Sequence, residues 1–244
     1  NNYLTKGWFM VKSIYEAARL MNLKTRNMDI IANNLANIDT VGYKRQLPFS
    51  EFMSRYSNQE YKHISDMSEG GLVKTGNPLD VALTGKGFFV FEAENGYMFS
   101  RNGKLKINDQ GYLTDEKGNR LLGMKGPILA KNNLDDKEIR ISISKNGEVK
   151  LDDIVSDKLL ISKIDDQRYV ERITDQGFVL TNKEFQTAED TDYEVYQFSL
   201  EESNVNPITE MQSMIEVNKH FETTHKMINY YDTYLGKVNE AGKV

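Results

Sequence analysis

Residues 207–238, PITEMQSMIEVNKHFETTHKMINYYDTYLGKV, decide the fold of one end of this chain. Mostly apolar residues recur there in two rows, each with a step of seven. We call such a pair of rows the seam of its helix. The rows are Met214, Phe221, Ile228 and Leu235, and Val217, Thr224, Tyr231 and Val238. Such paired rows are the a/d pattern of a helix that packs along another helix. Pro207 suits a first helical turn, Asn206 can cap it, and Glu210 lies in that turn, so a long helix should begin here.

The other end of the chain carries a matching pattern, which predicts a helix over about residues 11–37. Its rows are Ile14, Met21, Met28 and Leu35, and Ala17, Ile31 and Ile38, with Lys24 interrupting the second row. Residues 10–45 contain six Lys/Arg and three Asp/Glu, whereas residues 201–244 contain four Lys and seven Asp/Glu. A basic and an acidic helix can pair side by side, although each exposed charge pair adds only ~0.2–1 kcal/mol. We therefore expect the two ends of the chain to be neighbours.

The middle of the chain has the pattern of a β-domain. Short segments rich in β-branched and aromatic residues, such as 87–91 and 138–143, alternate with turn signals. The turn signals are Asn95-Gly96, Asp109-Gln110-Gly111, Lys117-Gly118-Asn119 and Asn146-Gly147. The predicted fold class is α+β, with a discontinuous, coiled-coil-like pair of N- and C-terminal helices and an all-β, sandwich- or barrel-like central domain. The predicted domains are 1–45 together with 203–244 for helical assembly, 46–75 as an extended connector, and 76–202 as the all-β domain.

The bulk composition excludes several classes of function. The chain has 244 residues, a net charge of −5 and no cysteine. The negative charge argues against nucleic-acid binding, which depends on clustered Lys/Arg, and the lack of cysteine removes thiolate catalysis and Cys-based zinc sites. No run of about 18 apolar residues predicts membrane insertion. Residues 1–9 lack the basic and apolar regions of a secretory signal, so export would need another route.

Catalytic and metal-binding patterns are weak, and we predict no catalytic, cofactor or metal site. His220 and His225 are five residues apart, which does not make an i, i+4 metal pair on a helix. The acidic pairs near predicted turns are interpreted as solvated residues: Asp135-Asp136, Asp152-Asp153 and Asp165-Asp166. Asp190, Asp192, Glu194 and Glu201 imitate the spacing of a calcium loop, but Val195 stands where that loop requires glycine. Residues 85–87 start like a phosphate loop, and a tight turn accounts for them better.

Three segments resemble the flagellar rod and hook family. Residues 32–44, ANNLANIDTVGYK, are similar to its N-terminal signature, and 203–207, SNVNP, followed by Glu210-Met211 and Met214-Ile215, to its C-terminal one. Residues 76–83, 85–89 and 100–103 resemble the entry to the β-domain of rod proteins. The sequence departs from the family pattern at Arg19-Leu20, in nine extra residues before Met10, and at 197–200, QFSL, where a glycine is usual.

The resemblance implies a non-enzymatic structural subunit of the bacterial flagellar basal-body rod. Such subunits polymerise through their terminal helices into the axial tube, in contact with their own copies and with other rod and hook subunits. The resemblance also implies a basal-body location, passage through the flagellar type III export apparatus without a cleaved signal peptide, and no cofactor. Residues 203–207, 211–215 and 219–222 are most similar to the proximal-rod subunit with one β-domain; a distal-rod or hook-like axial subunit is the alternative.

The candidate interface residues lie in the two seams and the two signatures. Near a helix end, Asn33, Asn34 and Asn37 can satisfy backbone groups that lack helical partners, and Gly42 allows a backbone that larger residues resist. The predicted assembly residues are Ile14, Met21, Met28, Ile31, Asn33, Asn34, Leu35, Asn37, Gly42, Asn204, Val205, Asn206, Met211, Met214, Phe221, Ile228 and Leu235.

Two functions of other classes stay open from the residues alone. One is an adhesin or carbohydrate-binding β-module whose groove would use Phe88, Tyr97 or Tyr112, with the helices as a stalk. The other is a hydrolase acting on peptidoglycan, for which the sequence offers no nucleophile–base pair.

Overall fold

A computed structural model describes residues 2–48, 65–94, 96–130, 140–164, 169–181 and 185–241, with helical side chains described from residue 15 and up to residue 237. The chain divides into two compact units. The helical unit comprises Asn1–Ala36, Gln46–Asn58 and Asn206–Val244, and the β unit comprises Asn37–Arg45 and Gln59–Val205. The predicted α+β class, with a helix at each end of the sequence and many strands between them, is confirmed. The finer domain boundaries given above stay a prediction.

The helical unit contains two long helices that pack against each other. Helix α1 spans Asn2–Ala36 and α2 spans Pro207–Ala241. Helix α1 starts about nine residues before the predicted start near residue 11. The residues before that point contain no proline that would end a helix, and the heptad rows give no signal there. The end of α1 is bonded to the first turn of α2, since the Asn34 side-chain amide donates to Glu210 Oε2 at 3.3 Å. The two helices therefore run antiparallel.

The β unit is built from short antiparallel strands. These are β1 Leu72–Lys74, β2 Val81–Gly85, β3 Phe88–Ala93, β4 Gly96–Ser100, β5 Lys106–Ile107, β6 Leu113–Thr114, β7 Arg120–Gly123, β8 Gly126–Pro127, β9 Ile141–Ile143, β10 Glu148–Leu151, β11 Ile154–Lys158, β12 Ile161–Lys163, β13 Val170–Arg172, β14 Gly177–Leu180, β15 Gln186–Thr187, β16 Tyr193–Gln197 and β17 Ser199–Glu201. The largest sheet has the order β13-β14-β4-β3-β7-β6-β5, with β12 also on β3, β15 on β12 and β8 on β7. The smaller sheets are β11-β10-β9, β16-β2 and β1-β17.

Strand β3 shows how the sequence builds two apolar layers. Because successive side chains of a strand point to opposite faces, Phe89 and Phe91 enter the main core with Leu83 and Leu121. Phe88 and Val90 enter a second cluster with Phe99, Leu122 and Phe178. The uninterrupted apolar run of residues 88–91 is therefore a strand that is buried on both faces.

The turn signals lie where the sequence predicts them. The turns at 109–111, 117–119 and 146–147 each contain a glycine with positive φ: Gly111 at 86°, Gly118 at 90° and Gly147 at 80°. Asp152 and Asp153 form the turn between β10 and β11, with φ of 47° and 68°. Of the other paired acids, Asp135-Asp136 and Asp165-Asp166 lie outside the described residues, as does Asn95. Strand β1 lies within the predicted connector 46–75, of which residues 49–64 also fall outside the description.

Candidate assembly interface

The predicted seam of α2 faces inward along its described length. Val217 is buried, and the other seam residues are half-buried, whereas most residues between them are exposed. The half-buried seam residues are Met214, Phe221, Thr224, Ile228, Tyr231 and Leu235. A seven-residue repeat of burial is what packing along a partner helix produces. The predicted member Met211 lies off this seam and is 55% exposed.

The seam of α1 behaves in the same way. Ile31 is buried, and Ala17, Met21, Lys24, Met28 and Leu35 are half-buried. Lys24 thus follows the seam although its charge interrupts the apolar row. The side chain of Ile14 lies outside the described side chains. Burial along both rows is the geometry that the heptads predict, although in α1 the neighbouring Leu23 and Ile30 are also half-buried and Asn27 is buried.

The start of α2 is capped by the residue that the sequence indicates. Asn206 Oδ1 accepts the backbone N–H groups of Ile208 at 3.0 Å and Thr209 at 3.2 Å, and Pro207 occupies the first helical position. An N-cap of this kind satisfies donors that have no helical partner. Asn206 therefore fixes where α2 begins.

Asn34 is fully buried and joins three parts of the helical unit. Its Oδ1 accepts the backbone N–H of Gln46 at 2.9 Å, and its Nδ2 donates to the backbone oxygen of Gln46 at 2.9 Å and to Glu210 Oε2. The Asn34 amide thus satisfies both the N–H and the carbonyl oxygen of Gln46, as a neighbouring strand would. Asn33, by contrast, is exposed.

The second half of the N-terminal signature belongs to the β unit. Thr40 Oγ1 donates to Asn37 Oδ1 at 3.0 Å, which closes the turn that follows α1. Gly42 has φ of 66° and donates its N–H to the Glu201 backbone oxygen at 2.8 Å. A Cβ at Gly42 would lie 2.5 Å from backbone atoms of Arg101 and Asn102, so only glycine fits there.

A buried ionic cluster lies directly after Gly42. Lys44 Nζ is 2.6 Å from Glu201 Oε1, and Arg101 Nη1 is 3.2 Å from Glu201 Oε2, with all three side chains almost completely buried. The backbone N–H of Gly70 also donates to Glu201 Oε1 at 3.0 Å. Burial lowers the pKa of Lys44, and the nearby Glu201 carboxylate opposes that shift. Lys44 Nζ further donates to the Ser68 backbone oxygen at 2.5 Å.

Tyr43 is held by a second arginine. The Arg172 guanidinium lies 4.7 Å from the centre of the Tyr43 ring and 4.8 Å from that of Phe178, and it donates to the Lys44 backbone oxygen. Tyr43 is fully buried. The guanidinium therefore stacks with two aromatic rings and also holds the backbone of the signature.

The C-terminal signature contacts the N-terminal one inside the β unit. Asn204 Oδ1 accepts the Arg45 N–H at 2.7 Å, and its Nδ2 donates to the backbone oxygens of Asp66 at 2.8 Å and Ser68 at 3.0 Å. Val205 is buried. The two signatures, which are far apart in the sequence, are thus bonded to each other through backbone groups and one amide.

Three family models match the chain, in the same order along the sequence as the three segments that resemble the family. Residues 14–44 match the family model described as "Flagella basal body rod protein", 82–151 match "Flagellar hook protein FlgE/F/G D1 domain", and 196–241 match "Flagellar basal body rod FlgEFG protein C-terminal". The chain is 31% identical to flagellar basal-body rod protein FlgF of Buchnera aphidicola subsp. Schizaphis graminum over 259 residues, covering 96% of this chain and 99% of the relative. The chain belongs to the flagellar basal-body rod protein family. It is a structural subunit of the rod.

Other rod proteins align over similar lengths. FlgF of Caulobacter vibrioides is 28% identical over 242 residues, with 93% of this chain and 96% of the relative covered. FlgG of the same Buchnera is 24% identical over 266 residues, with 95% and 100% covered. Rod-family proteins polymerise with other rod and hook subunits and reside in the flagellar basal body. Neither helix, within the described residues, is long and apolar enough to cross a membrane.

The acidic residues with calcium-like spacing have separate cationic partners. Asp190 pairs with Lys158, Asp192 lies 3.5 Å from Lys163, and Glu201 belongs to the buried cluster. Glu194 is 3.7 Å from Lys145. Among the described residues, no group of three or more His, Cys, Asp or Glu could hold a metal ion.

The aromatic residues considered for a carbohydrate groove are not gathered into one. Phe88 is buried in the second apolar cluster, and the Arg120 guanidinium lies 4.8 Å from the centre of the Tyr112 ring. Tyr97 is 53% exposed and lines a groove of about 600 Å³, whose lining includes neither Phe88 nor Tyr112.

Proposed function

We propose that this rod subunit polymerises into the axial tube through α1 and α2, and that it occupies the proximal part of the rod. The observation that supports assembly through the helices is their incomplete burial. Nearly all described seam residues are only half-buried by the pairing of α1 with α2. When a neighbouring subunit covers apolar area that a single chain leaves exposed, the burial of that area stabilises the assembly.

The proximal position is supported by the resemblance of residues 203–222 and by the pattern of relatives. Relatives named FlgF are 24–31% identical to this chain, and those named FlgG are 23–27% identical. We propose that the FlgF type and the proximal position go together in this chain. The remaining parts of the proposal are passage through the flagellar export apparatus without a cleaved signal peptide, and the absence of catalytic activity, nucleic-acid binding and a cofactor.

Imaging basal bodies tests the proximal position. Basal bodies from cells that carry this chain with a small peptide tag in the turn at 117–119 would be labelled and imaged by electron cryomicroscopy. We expect label near the inner-membrane end of the rod. Label only along its outer part would identify a distal subunit instead.

Truncation of α1 tests assembly through the helices. A chain lacking residues 10–36 keeps Asn37–Arg45, which belong to the β unit. We expect it to be made and to fold its β unit, but to be missing from purified basal bodies and not to restore swimming. Normal incorporation of this chain would overturn the role of the helices.

A further inference from the structure

Helix α2 carries two exposed apolar patches that its pairing with α1 does not cover. The N-patch consists of Ile208, Met211 and Ile215, which are 67%, 55% and 56% exposed. The C-patch consists of Met227, Tyr230 and Tyr234, which are 49%, 77% and 56% exposed. Large apolar side chains grouped on a helix surface mark contact sites more often than single exposed ones.

The two patches repeat one spacing on opposite flanks of the helix. Each has members at i, i+3 and i+7, and each member of the C-patch lies nineteen positions after its counterpart in the N-patch. At 3.6 residues per turn, each patch is turned by about 100° from the seam near it, one to either side. Helix α1 lies on the seam, so the patches flank the helix pair on different sides.

The two patches differ in composition and lie on different sides of the helix, which favours a contact that repeats from one subunit to the next. A face that pairs with itself closes a two-fold dimer, whereas two different complementary faces on one chain form a continuing assembly. A rod needs the second kind of contact. This inference rests on the proposed function and names the surfaces through which α2 would perform it.

We propose that the N-patch of one copy packs against the C-patch of a second copy of this chain, with the two α2 helices parallel. Matching the patches member by member shifts the neighbouring helices by nineteen residues, which is about 28 Å along the axis. Ile208 then faces Met227, Met211 faces Tyr230, and Ile215 faces Tyr234.

Charges next to the patches fit the same stagger. Glu222 follows the N-patch on its flank, and Lys237 follows the C-patch on the other flank; both are exposed. In the staggered pair, Lys237 of one copy is level with position 218 of its neighbour, one helical turn from Glu222. The two opposite charges attract in this arrangement and favour it by the small amount typical of exposed pairs.

Cross-linking tests the pairing directly, because the chain contains no cysteine of its own. The variants are Met211→Cys, Tyr230→Cys and the double variant, each in the full chain in basal bodies exposed to a mild oxidant. We expect dimers when the two single variants are produced together, none from either alone, and a ladder of dimers and larger species from the double variant. The matched control is the pair Gln212→Cys and Thr233→Cys, exposed positions outside both patches.

Three results would overturn the pairing: equal dimer yield from one single variant, equal yield from the control pair, or no cross-link in rods that contain the variants. Incorporation and swimming are scored in the same cells. Incorporation without the cross-link refutes only the pairing, and absence of the unmodified chain from rods refutes the proposed function. Where a variant does not enter the rod, oxidation of the purified variants over a concentration series gives the same comparison of cross-links.

Discussion

The β unit and the helical unit bury their apolar residues to different depths. Val81, Leu83 and Val90 are completely buried in the β unit. Among the described helical side chains, the buried apolar ones are Ile31 and Val217, and the rest of the two seams is half-buried. A layered β unit can complete its core within one chain, whereas a pair of helices leaves most of its circumference uncovered. The difference teaches that the β unit completes its core within one chain, whereas the helices leave apolar surface that neighbouring subunits would cover under the proposed function.

The strongest test of the β unit removes the centre of its ionic cluster. Glu201→Ala leaves Lys44 and Arg101 buried without their carboxylate, which should cost about 3–5 kcal/mol of unfolding free energy. Amide hydrogen exchange in the strands of the β unit of the full chain measures this loss. Glu116→Ala is the control, because the Lys104–Glu116 pair is exposed at 2.8 Å and should contribute at most about 1 kcal/mol. Equal effects from both variants would contradict the importance of burial.

The corresponding test of the helical unit removes its buried amide. Asn34→Ala leaves the N–H and oxygen of Gln46 and the Glu210 carboxylate without that partner, so the helix pair should lose about 1–3 kcal/mol. Amide hydrogen exchange at Gln46 and in the first turn of α2 reports this loss. Asn22→Ala, at an exposed position of the same helix, should change exchange by less than about 0.5 kcal/mol. Protection equal to that of the unaltered chain would show that the hydrogen bonds of Asn34 do not stabilise the helix pair.

Matched truncations compare the two cores directly. Leu113→Ala removes a completely buried side chain of the β unit and should cost about 2–5 kcal/mol. Ile228→Ala removes a half-buried seam residue and should cost the isolated chain about 1 kcal/mol, because part of its surface already contacts water. Thermal unfolding, followed by circular dichroism, gives both values. A larger loss from Ile228→Ala would reverse the comparison of the units.

The smallest predicted effect is no change or a slight gain in stability. Phe198 joins β16 to β17 with φ of 62°, and its side chain is 46% exposed. Phe198 lies within residues 197–200, QFSL, the segment that departs from the family pattern by lacking a glycine. Phe198→Gly relieves a left-handed conformation that costs an L-residue about 1–2 kcal/mol, against about 1 kcal/mol of added chain entropy. We therefore expect unchanged or slightly higher stability by urea denaturation; a loss above about 1 kcal/mol would show that the aromatic ring stabilises the fold.

Sequence patterns predicted those elements that depend on residues close together in the sequence. The heptads of α2, its Asn206 cap and the glycine turns of the β unit are short-range features, and each lies where the sequence indicates. The start of α1 was misplaced, because helix continues into a stretch where the seam gives no signal. Strand β1 was missed within a polar segment, because its pairing with β17 is made by backbone groups and by a segment far along the chain.

The signature residues show the limit of local reasoning most clearly. Asn34 and Gly42 were predicted as assembly contacts near a helix end, and that role stays a prediction. The structure gives both of them partners within the chain, Asn34 through Gln46 and Glu210, and Gly42 through Glu201. A lysine, an arginine and a glutamate at positions 44, 101 and 201 carried no signal of a common site. Only their burial together could have indicated it.

The sequence by itself determined the helices at both ends, the β-rich middle and the family, because periodicity, turn residues and signature motifs are properties of consecutive residues. The tertiary structure alone decided which residues became the buried ionic cluster, which amide joins the helices, and which apolar faces of α2 stay exposed. Those outcomes depend on pairings across many tens of residues. The free energy of burying a charge or an apolar side chain is set by what surrounds it, and no segment of the sequence contains its own surroundings.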